Sequence, residues 1–437
     1  MRDIIVIAIV MAGSLAALRR PWIGIMLWTW LSIMNPHRYT WGIAYGAPLA
    51  AVAAVSVLLG LLMTRERESP FKASPVTWFG LFMVWMTLSW LAGIDPEGDY
   101  EQWKKVMKID IMIIVALMVL HSKQHIYALM WVCAGSLAIL GIKGGIFTVL
   151  SGGVHRVWGP PGSFIEDNNE FALALVMTIP LLRFLQLQLR NALARHALTG
   201  TMLLCAASAL GSQSRGALLA ISGMLVFLWW NGKNKLGIGL LIMLVAIPLL
   251  MFMPDSWMER MATIGTYEAD RSALGRISAW WSAWNSAFHY PFGVGFNSAR
   301  PELFALYSPY PDFVHAAHSI YFQVLGNHGF VGLLLFLAIF VTTWRSAGWL
   351  RKHKSLVPEA RWCGDLGSMC QVALAGYAVG GAFLSLAYFD LPYNIMVMIV
   401  ITRIWVEKRS WLTEPVYAPG WKTIPGLVKP AEATKGA

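Results

Sequence analysis

Two histidines stand three residues apart in "FVHAAHSIYFQVLGNHGFVGLL" (313–334), at the mouth of a stretch apolar enough to cross a membrane. Imidazole gains nothing from lipid, so a boundary histidine is either hydrogen-bonded to a loop carbonyl or placed for chemistry. A neutral imidazole can take a proton from a hydroxyl group. We predict that His318 is a general base, with His315 in a supporting position.

Metal binding is the second chemistry that this histidine pair allows. His315 and His318 would share one face of a helix, but no Cys or carboxylate follows at ligand spacing. The chain also lacks a GxxxxGK[ST] motif, and "GVGF" has no preceding strand. We therefore predict no metal, no nucleotide and no other cofactor.

Three arginines stand at predicted membrane edges: Arg156 in "GGVHRVWGPPGSF", Arg215 in "GSQSRGALLAISG", and Arg276 at the start of an amphipathic helix. Each of them could simply reach the lipid headgroups. Together on one face they suit phosphate, because a guanidinium group binds phosphate oxygens in a bidentate fork. We predict that they bind a substrate with a lipid tail and a phosphate group.

The composition requires a membrane setting for these residues. Of the 437 residues, 57% are hydrophobic and only 13% charged, and the mean hydropathy is +0.56. One soluble core could not bury so much apolar surface, so we predict an all-α, polytopic transmembrane bundle. The 34 Lys and Arg residues lie mostly in short loops, which indicates membrane orientation and argues against a nucleic-acid partner.

Apolar runs divide the chain into about 12 or 13 spans. The first run is a retained helix, because Arg19 and Arg20 stand where a signal cleavage site needs small residues. The four cysteines lie in or beside spans and are expected to be reduced packing residues. The predicted spans, besides two short runs within 3–34, are 44–63, 76–93, 106–121, 125–142, 167–187, 198–213, 215–231, 235–253, 317–344, 366–388 and 392–406.

Basic loop residues predict orientation and four regions. If the spans alternate, most basic loops face the cytoplasm, and the histidines and the long insertion face outward. The regions are N-terminal membrane helices (1–253), a periplasmic loop (254–316), C-terminal membrane helices (317–412) and a cytoplasmic tail (413–437). The loop contains "SALGRISAWWSAWNSAFHYPFGVGF", whose aromatic spacing predicts an amphipathic helix along the outer boundary, ended by Pro291 and the Gly293 and Gly295 turn.

From about residue 150 onward, the chain resembles the O-antigen ligase and polymerase superfamily of bacterial envelope glycosyltransferases. The most specific motif is His318, Ser319, nine residues, and then Gly329 to Gly332 in a GxxG pattern. Three further segments resemble family blocks: "EDNNEFALALVMTIPLL" (166–182), "SRGA" (214–217) and "GRISAWWSAWNSAFHYPFGVGF" (275–296). The N-terminal third and "RMATIGTYEADRSALGR" (260–276) look like the O-glycosylation ligases associated with exosortase systems.

The resemblance implies a metal-independent, inverting transfer of a glycan from undecaprenyl pyrophosphate to an acceptor hydroxyl, on the periplasmic face of the bacterial inner membrane. It places the essential histidine at His318 and the phosphate-binding arginines at Arg215 and Arg276, whereas Arg156 rests on charge and placement. Supporting residues are Ser319, Asn169 and His315, together with Asp390, which is either a helix-end carboxylate or an orienting partner. The membrane lipids hold the donor's tail.

Three alternatives stay open. The acceptor is lipid A-core or a protein hydroxyl, and a ligase is favoured over a polymerase because only one outward loop is long. A transporter or flippase for lipid-linked sugars would need ionisable residues near the centres of its spans and internal repeats. The spans are nearly free of such residues, so an enzyme at the outer face is the favoured interpretation.

Overall fold

The computed structural model describes residues 1–64, 67–232, 234–255, 257–258, 271–353 and 357–414. In this part the chain is helical and contains no strand, which confirms the predicted all-α fold class. The tail from 415 onward and most of the "RMATIGTYEADRSALGR" segment lie outside the described residues. The helices are α1 (Arg2–Arg19), α2 (Pro21–Met34), α3 (Ile43–Gly46), α4 (Leu49–Met63), α5 (Ser74–Leu91), α6 (Pro96–Val119), α7 (Lys123–Leu150), α8 (Asn168–Gln188), α9 (Ala192–Gly211), α10 (Arg215–Asn231), α11 (Lys235–Met251), α12 (Arg271–His289), α13 (Pro301–Tyr307), α14 (Ile320–His353), α15 (Arg361–Gly380) and α16 (Asp390–Glu407).

Within the described residues, five elements are long and apolar enough to cross a membrane: α7, α8, α9, α14 and the segment Pro358–Phe383, which contains α15. Four shorter apolar helices accompany them: α2, α4, α10 and α11. Helices α8 and α16 are buried along almost their whole length, so they form the centre of the bundle. A helix that is apolar on all sides suits such a place, because its neighbours and the lipid are equally apolar.

Local sequence signals fix where several helices begin. Asp95, Ser122 and Ser214 each precede a helix, and each accepts a hydrogen bond from a backbone N–H in its first turn. These N-caps satisfy donors that the helix itself leaves unpaired. The Asp95 cap and Pro96 start α6 ten residues before the apolar run predicted at 106–121, because capping and not hydropathy sets the first turns.

The predicted span 366–388 also differs from the structure. Helix α15 ends at Gly380, and the apolar residues up to Phe389 form a short 3₁₀ turn and irregular backbone. Tyr377 and Tyr393 donate hydrogen bonds to the carbonyls of Leu386 and Ala387. Tyrosine hydroxyls thus satisfy part of this buried non-helical backbone, which hydropathy alone cannot reveal.

The loops gather at two opposite ends of the bundle. At one end Lys408 and Lys72 pair with Glu68, which joins the loop after α4 to the end of α16. At the other end the amide of Ile94 donates to Val294, and the amide of Val157 donates to Gly211. The second end, here called the site face, therefore collects the loops after α5, α7, α9 and α12.

Candidate functional site

His318 lies in the loop just before α14. The helix begins at Ile320, three residues after the start of the predicted span 317–344, so His315 and His318 do not share a helix face. The His318 backbone has a φ of 41°, in the left-handed region that non-glycine residues rarely adopt. Ser319 follows, and its hydroxyl accepts a 3.5 Å hydrogen bond from the amide of Phe322. Ser319 is therefore a weak helix cap, and the turn at His318 sets the direction of the imidazole.

Helix α12 holds this loop in place. The indole of Trp280 donates a 2.7 Å hydrogen bond to the carbonyl of Ala317, and its ring stacks on Phe322. Arg276 lies four residues earlier, so the two side chains share one face of α12. Arg276 lies near enough to act electrostatically on His318. The long insertion thus brings a guanidinium group to the imidazole.

His315 packs beside the same helix. Its ring lies 4.9 Å from that of His318, between centroids, in an edge-to-face arrangement. A Cβ atom added at Gly275 would come 2.9 Å from the Cδ2 atom of His315, so a glycine is needed for this close packing. His315 is exposed, whereas His318 is partly covered.

A carboxyl group that the sequence analysis did not select faces His318. The Oε1 atom of Glu170 lies 4.0 Å from the Nδ1 atom of His318. Glu170 is buried, and its Oε2 atom has no hydrogen-bond partner among the described residues. Asp167, the N-cap of α8, lies within hydrogen-bonding reach of Glu170. The start of α8 therefore presents two carboxyl groups to the imidazole.

Burial is the main cause that lowers the pKa of His318 to about 4; the positive charge of Arg276 contributes to the lowering, whereas Asp167 acts in the opposite direction. The imidazole is therefore neutral at pH 7 and able to accept a proton. For Asp167, burial raises the pKa, but hydrogen bonds with Glu170 and Asn169 outweigh it and lower the pKa. The carboxylate of Asp167 is thus charged beside a neutral imidazole.

Arg156 and Arg215 are joined to this region through Gln213. The Nε atom of Arg156 donates a 3.4 Å hydrogen bond to the side chain of Gln213, two residues before Arg215 at the start of α10. Asn168 donates a 2.7 Å hydrogen bond to the carbonyl of Ser212. The turn at 211–215 is therefore fastened to the start of α8, the helix that carries Glu170.

Two predicted supporting residues have other surroundings. Asn169 donates to Asp167 through its side chain and its backbone amide, so it orients one of the two carboxylates. Asp390 is the buried first residue of α16 and lies near Lys105. Among the described residues, its hydrogen-bond partners and charged neighbours are Ser32, Asn394 and Lys105, and not His318.

The two glycine motifs predicted for the site pack against each other. A Cβ atom on Gly293 would lie 2.2 Å from the carbonyl oxygen of Asn327, and Gly293 has a φ of 84°. Gly329 breaks α14 with a φ of 66°. His328 is fully buried and hydrogen-bonds with Ser89 and Tyr388 at 2.8 and 2.7 Å. These contacts fix the insertion on the bundle.

An apolar groove of about 220 Å³ lies between α14 and α15. It begins at Ile320, two residues after His318, and reaches Arg345 towards the other end of α14. Its walls include Phe340, Trp344 and Tyr377. Among the described residues, no cluster of three or more His, Cys, Asp or Glu side chains is placed to hold a metal ion.

The fold and the site define a polytopic helical membrane protein with imidazole, guanidinium and carboxyl groups gathered at one end of the bundle, beside an apolar groove. Residues 200–337 match the family model described as O-Antigen ligase, and residues 1–190 match a family of unknown function (DUF5935). The chain thus carries an O-antigen ligase domain, and its predicted resemblance to that superfamily is confirmed. No curated protein matches the chain.

The two matches divide the site between them. His318, Arg276 and Arg215 fall in the O-antigen ligase match, whereas Glu170 and Arg156 fall in the match of unknown function. The O-antigen ligase match supports a membrane enzyme of the O-antigen ligase and polymerase type. Neither match supports a particular closeness to exosortase-associated ligases, which stays a prediction.

Proposed function

We propose that this enzyme transfers a glycan from undecaprenyl pyrophosphate to an acceptor hydroxyl, at the periplasmic face of the bacterial inner membrane. One observation carries the proposal. The imidazole of His318 lies 4.0 Å from the carboxyl group of Glu170 and within electrostatic reach of Arg276, and it precedes Ile320 of an apolar groove by two residues. A lipid-linked pyrophosphate donor requires an apolar surface for its tail, a cation for its phosphates and a base for the acceptor hydroxyl.

The transfer is a single displacement at the anomeric carbon of the donor sugar. The acceptor oxygen forms a bond to that carbon while the bond from the carbon to the pyrophosphate oxygen breaks, and the electron pair leaves with the pyrophosphate. The proton of the acceptor hydroxyl passes to the Nε2 atom of His318. Glu170 faces the Nδ1 atom and would hold the tautomer that leaves Nε2 free to accept the proton.

Negative charge grows on the leaving pyrophosphate, and the site must stabilise it. The electrostatic effect of Arg276 on His318 supports this role for its guanidinium group. Guanidinium donors that are fixed in advance stabilise such charge well where water is partly excluded. Arg215 and Arg156 enter the proposal as further phosphate ligands, because the turn at 211–215 is attached to the start of α8.

The groove between α14 and α15 suits a stretch of the isoprenoid tail. Its lining is almost entirely aliphatic and aromatic, and it starts two residues after His318. A tail held there would place the pyrophosphate next to the imidazole. The donor and the base would then already be close together before the reaction, which raises its rate. This position explains why the transferase is built into a membrane.

The first test uses purified protein in lipid nanodiscs with a glycan on undecaprenyl pyrophosphate. We expect transfer to lipid A-core in the absence of metal, unchanged by EDTA, with release of undecaprenyl pyrophosphate. The same glycan on a nucleotide should not react. Transfer from the nucleotide donor, or loss of activity in EDTA, would contradict the proposed chemistry.

The acceptor is tested in the same reaction. Modified lipid A-core would support the ligase, a modified protein would assign O-glycosylation, and donor chains of increasing length would assign a polymerase. Membrane orientation has its own test by labelling of single cysteines. A cysteine at position 300 should react from the periplasm, and cysteines at 352 and 408 from the cytoplasm; the reverse pattern would contradict the periplasmic site.

A further inference from the structure

Three of the cations that lie against aromatic rings in the N-terminal half of the chain are Arg38, Lys105 and Lys143. Arg38 belongs to the 3₁₀ turn Pro36–Tyr39, whereas Lys105 and Lys143 are exposed positions of α6 and α7. Cation–π contacts hold these side chains against the rings but do not neutralise their positive charges. The distances from charged atom to ring centroid are 5.1 Å for Arg38 to Tyr45, 3.9 Å for Lys105 to Phe164 and 4.7 Å for Lys143 to Tyr39.

These cations converge on the loop between α7 and α8. Phe164 of this loop covers Lys105, and a Cβ atom on Gly162 would lie 3.4 Å from the guanidinium carbon of Arg38. Arg38 is close enough to Lys105 to repel it electrostatically. Lys143 contacts Tyr39, the neighbour of Arg38 in the chain. The same loop ends at Asp167, so the cluster lies on the site face.

The protein does not supply these cations with close counter-ions. Glu166 and Asp390 attract Lys105, but the Glu166 carboxylate accepts a hydrogen bond from the amide of Gly162 at 2.8 Å. Asp390 is buried and hydrogen-bonds with Ser32. Within the described part of the chain, none of the three cations has a carboxylate oxygen within 4.0 Å.

Cations that lie close together without near counter-ions repel one another, and an external anion would relieve this repulsion. Exposed apolar residues lie on the same helices: Ile139 is one turn before Lys143 on α7, and Ile111 is further along α6 from Lys105. A ligand that contacts both the cations and these apolar residues would have an anionic headgroup and an apolar tail. Phosphate is the anion that Arg and Lys bind most readily in a headgroup layer.

We propose that Arg38, Lys105 and Lys143 form a binding site for the phosphate of an anionic lipid headgroup, separate from the His318 site. The site lies wholly within the region that matches a family of unknown function. It therefore gives that region a binding role of its own. This inference does not depend on the identity of the donor.

The test measures lipid retention by native mass spectrometry of the full-length protein, released from nanodiscs of phosphatidylglycerol or phosphatidylcholine. Wild type should retain phosphatidylglycerol in preference. Replacement of Arg38, Lys105 or Lys143 by Gln should each weaken its binding about fivefold, the value expected for one cation at a headgroup. The triple variant should lose the preference.

The matched control is Lys104→Gln. Lys104 precedes Lys105 on α6 but is ion-paired with Glu101 at 2.6 Å, so its replacement should leave lipid binding unchanged. Lys105→Arg should also bind normally, because it keeps the charge. An equal loss of binding in Lys104→Gln would show general surface attraction and overturn the proposal.

Two further measurements identify the ligand and check that the variants are folded. Excess inorganic phosphate should not displace the lipid. If inorganic phosphate instead bound tightly to delipidated protein, the site would be assigned to a free anion. Thermal unfolding in detergent separates binding from folding. If Lys143→Gln unfolds at the wild-type temperature and still retains phosphatidylglycerol fully, the proposed site is wrong.

Discussion

The imidazole Nδ1 atom of His318 lies 4.0 Å from the carboxylate Oε1 atom of buried Glu170. These residues come from different helical regions, the loop before α14 and the first turn of α8. The separation is longer than a hydrogen bond, so a small movement on substrate binding would close it, as catalytic contacts often do. The pair suggests that the carboxyl group orients the proposed base.

Glu170→Gln is expected to lower kcat by about tenfold or more while KM changes little, since a positioned base contributes at least that much to proton transfer. Glutamine keeps the shape of the side chain but does not reproduce the carboxyl group that faces the Nδ1 atom of His318. Single-turnover kinetics with bound donor should show the loss in the chemical step. Glu302→Gln, a change at an exposed carboxylate of α13, is the control. A normal kcat in Glu170→Gln would remove this residue from the mechanism.

Arg276→Lys is expected to recover little of the activity that Arg276→Ala loses, because a point charge cannot reproduce a bidentate fork. The loss should exceed tenfold in kcat/KM, the order expected for one stabilising donor to a growing negative charge. Steady-state kinetics with varied donor concentration measures it. Full activity of the lysine variant would argue against phosphate binding by Arg276.

The lowered pKa of His318 predicts the pH profile. The proton-accepting form exists above the pKa, so kcat/KM, which reports the free enzyme, should stay level through pH 6.5 and fall only towards about pH 4. Burial is the main cause, and the charge of Arg276 is the second. A bound pyrophosphate would offset that charge, so the acid limb of kcat should lie at higher pH. If kcat and kcat/KM fell at the same pH, the proposed effect of pyrophosphate on the pKa of His318 would be contradicted.

Gly293→Ala is expected to destabilise the protein by about 1–3 kcal/mol, the cost of a strained backbone position. The added methyl group would lie 2.2 Å from the carbonyl oxygen of Asn327, at a φ of 84°. Gly135→Ala in α7 is the control, because no heavy atom lies within 4 Å of its Cβ position. Thermal unfolding should separate the two variants. If both variants unfolded at the same temperature, the prediction would be wrong, because the turn at Gly293 would have moved away from Asn327 to make room for the methyl group.

Much of the fold follows from hydropathy, because membrane spans must be apolar and helical along their whole length. Helices α7 to α11 lie close to the runs predicted from sequence. The irregular backbone up to Phe389 could not be predicted, since it depends on hydrogen bonds from Tyr377 and Tyr393. Such side-chain contacts leave no periodic signal.

The site was only partly accessible to sequence reasoning. His318 and Arg276 stand in recognisable motifs, and the structure places them together. Glu170 stands three residues after Asp167, the usual signature of a helix start, so the local pattern does not mark it as a site residue. Its position beside His318 depends on packing between α8 and α14, which the local pattern does not contain.

The central claim is that His318 takes the proton from the acceptor hydroxyl. The most direct measurement compares single-turnover rates of wild type, His318→Ala and His315→Ala in nanodiscs loaded with donor. We expect His318→Ala to lose at least about 10²-fold in rate, as for removal of a general base, with normal donor binding and membrane insertion. His315→Ala should lose much less. A His318→Ala enzyme that transfers the glycan at the wild-type rate would contradict the mechanism.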